Sequence, residues 1–229
     1  MRTNLTNRMG ASSAVLGVAL LFIGTLLHPM EADPNVPAAA FAEYAADHHW
    51  VTSHLLQLAG VTAMVLALLL FAGRLQAAGH AYFPRVASTG AVASLALAAA
   101  LQAVDGVALK AMVNAWAAAP EAQKEALFYA SYAVRQIEVG LACMFCLAMG
   151  FTAGAFGAGL LLSRRGSPWF ALLALAGGIP TACAGVVMAY SGFSALAMAI
   201  NMPANLLLLV WMLWLAAGMW RASVPGAVS

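Results

Sequence analysis

Apolar positions along the chain fall into six long blocks separated by short polar or turn-forming segments. The blocks cover about 11–27, 50–73, 86–104, 139–162, 169–190 and 195–220. A helix needs about 20 mostly apolar residues to cross a hydrocarbon core ~30 Å thick, so each block predicts a membrane-spanning helix. The breaks between them are His28-Pro29, Gly73-Arg74, Ala119-Pro120-Glu121, the run from Arg164 to Pro168, and Ser191-Gly192. Helical composition continues beyond the third block through Asp105, Lys110 and Asn114, and it resumes before the fourth. The third helix is therefore expected to extend to 114 and the fourth to cover 122–162, both projecting past the membrane and joined by a turn at Pro120. No stretch between spans is long enough for a separate soluble domain. The expected fold class is all-α: a polytopic membrane helix bundle of six transmembrane helices forming one integral membrane domain, 1–229.

Composition sharpens that reading by exclusion. The chain is 64% hydrophobic and only 8% charged, with a mean hydropathy of +0.88. Soluble domains carry roughly 25% charged residues, so a soluble globular protein and a disordered chain are both excluded. Ten Lys+Arg against eight Asp+Glu leave a net charge of +2, which provides no basic surface for nucleic acid. The expected partner is the lipid bilayer.

The placement of cations orients the bundle. Six spans put both termini on one side, together with Arg2, Arg8, Arg74, Arg85, Arg164, Arg165 and Arg221. The other side carries Lys110, Lys124 and Arg135. The positive-inside rule then predicts cytoplasmic termini. All eight acids fall on the opposite side. The first span follows Arg2 and Arg8, as a signal peptide would, but no small-x-small cleavage site lies at the right distance, and it is read as a retained helix.

Several polar residues share the outer layer. His28 closes the first span, His48 and His49 precede the second, and His54 lies one turn inside it, while His80 is read as a solvated loop residue. Trp50 and His54 share a face at i, i+4, as do His54 and Gln57 at i, i+3. His49 and His54 are offset by about 140° on an ideal helix, unlike the i, i+4 pair of a helical zinc motif. His28 is the residue that would complete a site from the neighbouring helix, with Asp105 or Glu138 supplying oxygen. The ordinary alternative is a set of interfacial histidines and charges pairing across a helical hairpin. The candidate ligand-binding set is His54, Gln57, Gln102, Asp105, Arg135, Glu138, Tyr190 and Asn201. The candidate metal ligands are His28, His49 and His54, with a second group in Cys143, Cys146 and Cys183, whose depths agree and whose thiols suit a soft ion. Buried cysteines are also ordinary packing residues. A metal ion or a haem is the cofactor class these sets imply. Gly150, Gly154, Gly157 and Gly159 line the fourth helix with small residues, a surface for close helix packing or for a homo-oligomeric or other membrane partner. Walker A, Rossmann, G-x-S-x-G and H-E-x-x-H patterns do not occur, and the single His-His-x-x-x-x-His run lacks the further boxes of a histidine-box desaturase.

Three segments carry a family resemblance: Gly17 to Pro29 ending in Leu27-His28-Pro29, the helix opening Trp50-Val51-Thr52-Ser53-His54-Leu55-Leu56, and the glycine-rich fourth helix ending in Leu161-Leu162-Ser163. Together they resemble uncharacterised six-helix bacterial inner-membrane proteins grouped as a domain-of-unknown-function family. The resemblance implies a multi-pass location in the bacterial inner membrane and supplies no activity. The functional expectation is a protein with a polar, His/acid-lined site near the periplasmic face that binds or transports a small ligand or ion. The alternatives are a membrane metalloenzyme or redox protein using the histidine layer or the cysteines, and an accessory subunit of a membrane complex.

Overall fold

The computed structural model describes residues 2–79, 82–164 and 167–223, with the side chains of Arg2 and Thr3 left aside. His80 and Arg165 lie outside the described residues. The chain is helical almost throughout: α1 (Arg2–Leu27), α2 (Pro37–Ala46), α3 (Trp50–Ala77), α4 (Tyr82–Gln102), a π-helical segment (Ala103–Leu109), α5 (Lys110–Ala117), α6 (Glu121–Ser163), α7 (Pro168–Ser191) and α8 (Ala195–Arg221). Among the described residues, six stretches are long and apolar enough to cross a membrane, with α4, the π segment and α5 counting as one.

The six spans close into a ring. The principal contacts run α1 to α3, α3 to α4, α4 to α6, α6 to α7, α7 to α8 and α8 back to α1. Small residues permit the tightest of these approaches. A Cβ on Gly60 would lie 2.6 Å from the Leu21 nitrogen, and one on Gly150 would lie 2.5 Å from the Gly178 oxygen. Gly157 meets the backbone of α7 and Gly159 meets Phe83, while Gly154 has open space around it. The glycine-rich face of α6 is thus largely occupied within the chain.

Two elements differ in extent from the apolar blocks. Helix α1 begins at Arg2, because polar residues that leave the hydrocarbon remain helix-compatible and only its buried part is visible as an apolar run. Helix α6 has 43 residues, about 65 Å at 1.5 Å per residue, twice what a bilayer core requires. Its N-terminal third packs beside α5. The short helix α2, with Pro37 in its first turn, lies against α5, and Phe41, Tyr44, Trp50, Leu109 and Val113 form a small apolar core there. Lys110 fastens it. Its ammonium donates to the Tyr44, Ala45 and Asp47 carbonyls at 2.6, 3.0 and 2.7 Å, which supplies partners for a helix C-terminus otherwise left with unmatched acceptors.

Candidate functional site

The polar layer assembles beneath that cap, where α1 ends, α3 begins and α4 gives way to the π segment. His54 is only 2% exposed. Its Nδ1 stands 2.6 Å from the Trp50 carbonyl oxygen. A carbonyl only accepts, so Nδ1 carries a proton and Nε2 is turned toward Asp105. His28 repeats the arrangement, with Nδ1 2.7 Å from the Pro29 carbonyl oxygen. Both imidazoles therefore point Nε2 away from the backbone that holds them.

A carboxylate closes the group. Asp105 Oδ2 is 3.0 Å from His54 Nε2, yet neither His54 Nε2 nor Asp105 Oδ1 has a hydrogen-bond partner of acceptable geometry. At that separation the carboxylate calls for a positive partner, which a second proton on the His54 ring or a bound cation supplies. The ligand atoms of His28, His54 and Asp105 all fall within 4.8 Å of one another, and among the described residues no other group of three His, Cys, Asp or Glu side chains is so arranged. Ligand atoms on one tetrahedral ion stand about 3.4 Å apart at ordinary N/O–metal lengths, so the widest pair would have to close by about 1.4 Å to share an ion.

The surroundings hold these side chains in place. The Trp50 indole donates to the Asp105 backbone carbonyl at 2.9 Å and packs its ring 4.7 Å from that of His54 and 4.8 Å from that of His28. The π segment carries Asp105, and such wide turns often occur at functional sites. Gly106 follows, and a Cβ there would lie 2.6 Å from His54 Cβ. Gly106→Ala should therefore displace the imidazole without removing any ligand. The expected cost is about 1–3 kcal/mol for the overpacking, read by thermal unfolding in detergent, together with a clear loss of affinity at the site. Burial, and then the neighbouring His54, lower the His28 pKa from its ordinary value. Burial likewise pushes Tyr44, on α2, up to about 12.

The other expected residues are distributed as follows. Gln102 Nε2 donates to Gln57 Oε1 at 3.2 Å, one turn below His54 and Asp105 on the same two helices. Arg135 and Glu138 pair through Arg135 Nη1 at 2.6 Å to both carboxylate oxygens, with Asp105 close enough for its charge to act on Glu138. Asn201 meets Cys146 through a long contact of 3.8 Å, the thiol donating to Oδ1. Tyr190 is 90% exposed at the end of α7, and the His49 side chain is exposed above the site. The three cysteines do not converge: Cys143 and Cys146 are buried and Cys183 is exposed, because Gly185, not Cys183, faces Cys146 across the α6–α7 contact. Sequence reasoning missed the lysine clamp, the π segment and the role of Trp50 as a donor; Pro37 before an alanine run was the available signal for α2.

Comparison with protein-family models, with curated proteins and with solved structures finds no match to the chain.

Proposed function

We propose that this is a multi-pass protein of the bacterial inner membrane, with cytoplasmic termini, that binds a divalent transition-metal ion at His28, His54 and Asp105 near its periplasmic face. The arginine distribution supports that orientation, and the resemblance to bacterial six-helix proteins supports that membrane. One observation carries the metal reading: two imidazoles, each tied by Nδ1 to a backbone carbonyl, bring ring nitrogens together within 4.8 Å of a carboxylate. Metal-ligating histidines characteristically donate their other ring N–H in this way, which fixes the tautomer and raises ligand basicity. Imidazole with carboxylate suits zinc, iron, copper or nickel better than calcium or magnesium. Three protein ligands leave a coordination position open, the arrangement of a site that exchanges or activates something rather than one that merely braces a fold.

The test is elemental analysis of the gently solubilised protein, followed by titration of metal-stripped protein with Co2+ and Zn2+. About one equivalent per chain, with a cobalt spectrum of nitrogen and oxygen ligation, is the expected result. Metal far below one equivalent after titration overturns the reading, as does a Soret band in place of metal.

A further inference from the structure

Inside the helical ring lies a second site, separate from the histidines. It is an apolar cavity of about 430 Å3, bounded by α1, α3, α4, α6, α7 and α8. Its lining runs from Ala142 to Ala153 on α6 and from Asn201 to Met212 on α8. Eleven helical steps make it about 16 Å long, roughly half of a bilayer core. It is an elongated slot with an almost wholly apolar lining, the chemistry that suits an extended hydrocarbon chain.

The slot also has an entrance. Helices α1 and α8 meet at their far end, where Gly10 packs on Met219 and Asn7 Nδ2 donates to the Ala222 carbonyl at 3.3 Å. Toward the α2 end, Phe22, Met202 and Leu206 line the cavity and are at the same time exposed on the outside of the bundle. These residues belong to membrane-spanning segments, so the opening faces hydrocarbon and not water. Thr25 and Asn201 stand at the mouth end of the lining, one turn below His28 in the case of Thr25, where a polar group attached to the chain would emerge. Water gains little in a lining so poor in polar groups, and a dry void forfeits packing contacts. A hydrocarbon chain from the adjacent leaflet satisfies both conditions.

We propose that the cavity holds a single hydrocarbon tail of a membrane lipid, inserted sideways between α1 and α8 from the leaflet that borders the histidine site, with its polar head at the level of Thr25 and Asn201. This proposal does not rest on the metal reading.

The full-length protein is reconstituted in phosphatidylethanolamine/phosphatidylglycerol vesicles containing a phospholipid with a photoactivatable diazirine midway along one acyl chain. After irradiation, labelled residues are located by peptide mass spectrometry. Labels are expected on Met64 and Met212, which are buried within the ring, as well as on outward residues such as Leu213. Labels confined to outward residues overturn the proposal. Val65→Phe fills the slot and should reduce inner labelling at least tenfold while outward labelling persists, which shows that the variant has inserted. Val61→Phe serves the same purpose if Val65→Phe does not assemble. Inner labels unchanged in an inserted slot-filling variant also overturn it.

Discussion

Arg135→Ala is expected to destabilise the bundle by about 3–5 kcal/mol, the usual cost of removing one partner from a buried ion pair. Glu138 is 2% exposed, and both of its oxygens rest on Arg135 Nη1, so the alanine variant strands a carboxylate with no counter-charge bonded to it. The loss extends to the outer cap. Arg135 Nη2 reaches the Pro34 carbonyl at 3.5 Å, and the guanidinium lies 5.6 Å from the Tyr44 ring and 4.8 Å from the Phe193 ring. One side chain therefore ties the segment after α1, helix α2 and the α7–α8 turn to α6. Denaturant unfolding in mild detergent measures the effect. The double variant Arg135→Met with Glu138→Leu should recover most of the loss, because two apolar groups of similar volume leave no uncompensated charge. A single variant within about 1 kcal/mol of the parent would show that Glu138 is already neutral or solvated without its arginine.

What the sequence makes legible, and what it hides, follows from the physics of each feature. The six spans were readable because bilayer thickness fixes a minimum apolar length, and nothing in the loops imitates it. Depth was readable too: a fixed rise per residue places His28, His54, Asp105 and Glu138 in one layer before any contact is known. Rotation about each helix axis was not. Asp105 reaches His54 through a π segment, which alters the angular phase that an ideal helix would assign, and through the missing side chain of Gly106. Neither has an apolar-periodicity signature. The cysteines show the converse: Cys143, Cys146 and Cys183 agree in depth, but Gly185 occupies the facing position and turns Cys183 outward. His49 and His54 separate for a reason that the helical wheel contained, since an offset of about 140° cannot put both on one inner face. The Lys110 clamp depends on α2 lying over α5, a tertiary arrangement that local composition does not encode.

Removal of a metal ligand is the second large effect. His54→Ala and Asp105→Asn are each expected to weaken Zn2+ binding at least about 100-fold, beyond the 10–100-fold typical of losing an outer-shell partner. His28→Ala belongs with them. Trp50→Phe keeps all three ligands and an aromatic ring against the imidazoles, and removes only the indole donor to the Asp105 carbonyl. It should lie within the smaller range. Asp105→Asn is the most informative member, since its shape and its backbone contact with Trp50 are retained while the charge is lost. Binding is measured by competition with a chromophoric chelator, and a second readout separates lost affinity from damaged structure. Zn2+ at 100 times its dissociation constant should raise the unfolding free energy of the parent protein by about 2.7 kcal/mol, and that increment should vanish in His54→Ala even where the metal-free variant unfolds like the parent. A retained increment in His54→Ala would mean that the ion sits elsewhere. Equal losses in Trp50→Phe and Asp105→Asn would mean that the carboxylate acts through packing and not as a ligand. The graded order, ligands first and the orienting indole after them, is what a metal site built from two imidazoles and a carboxylate requires.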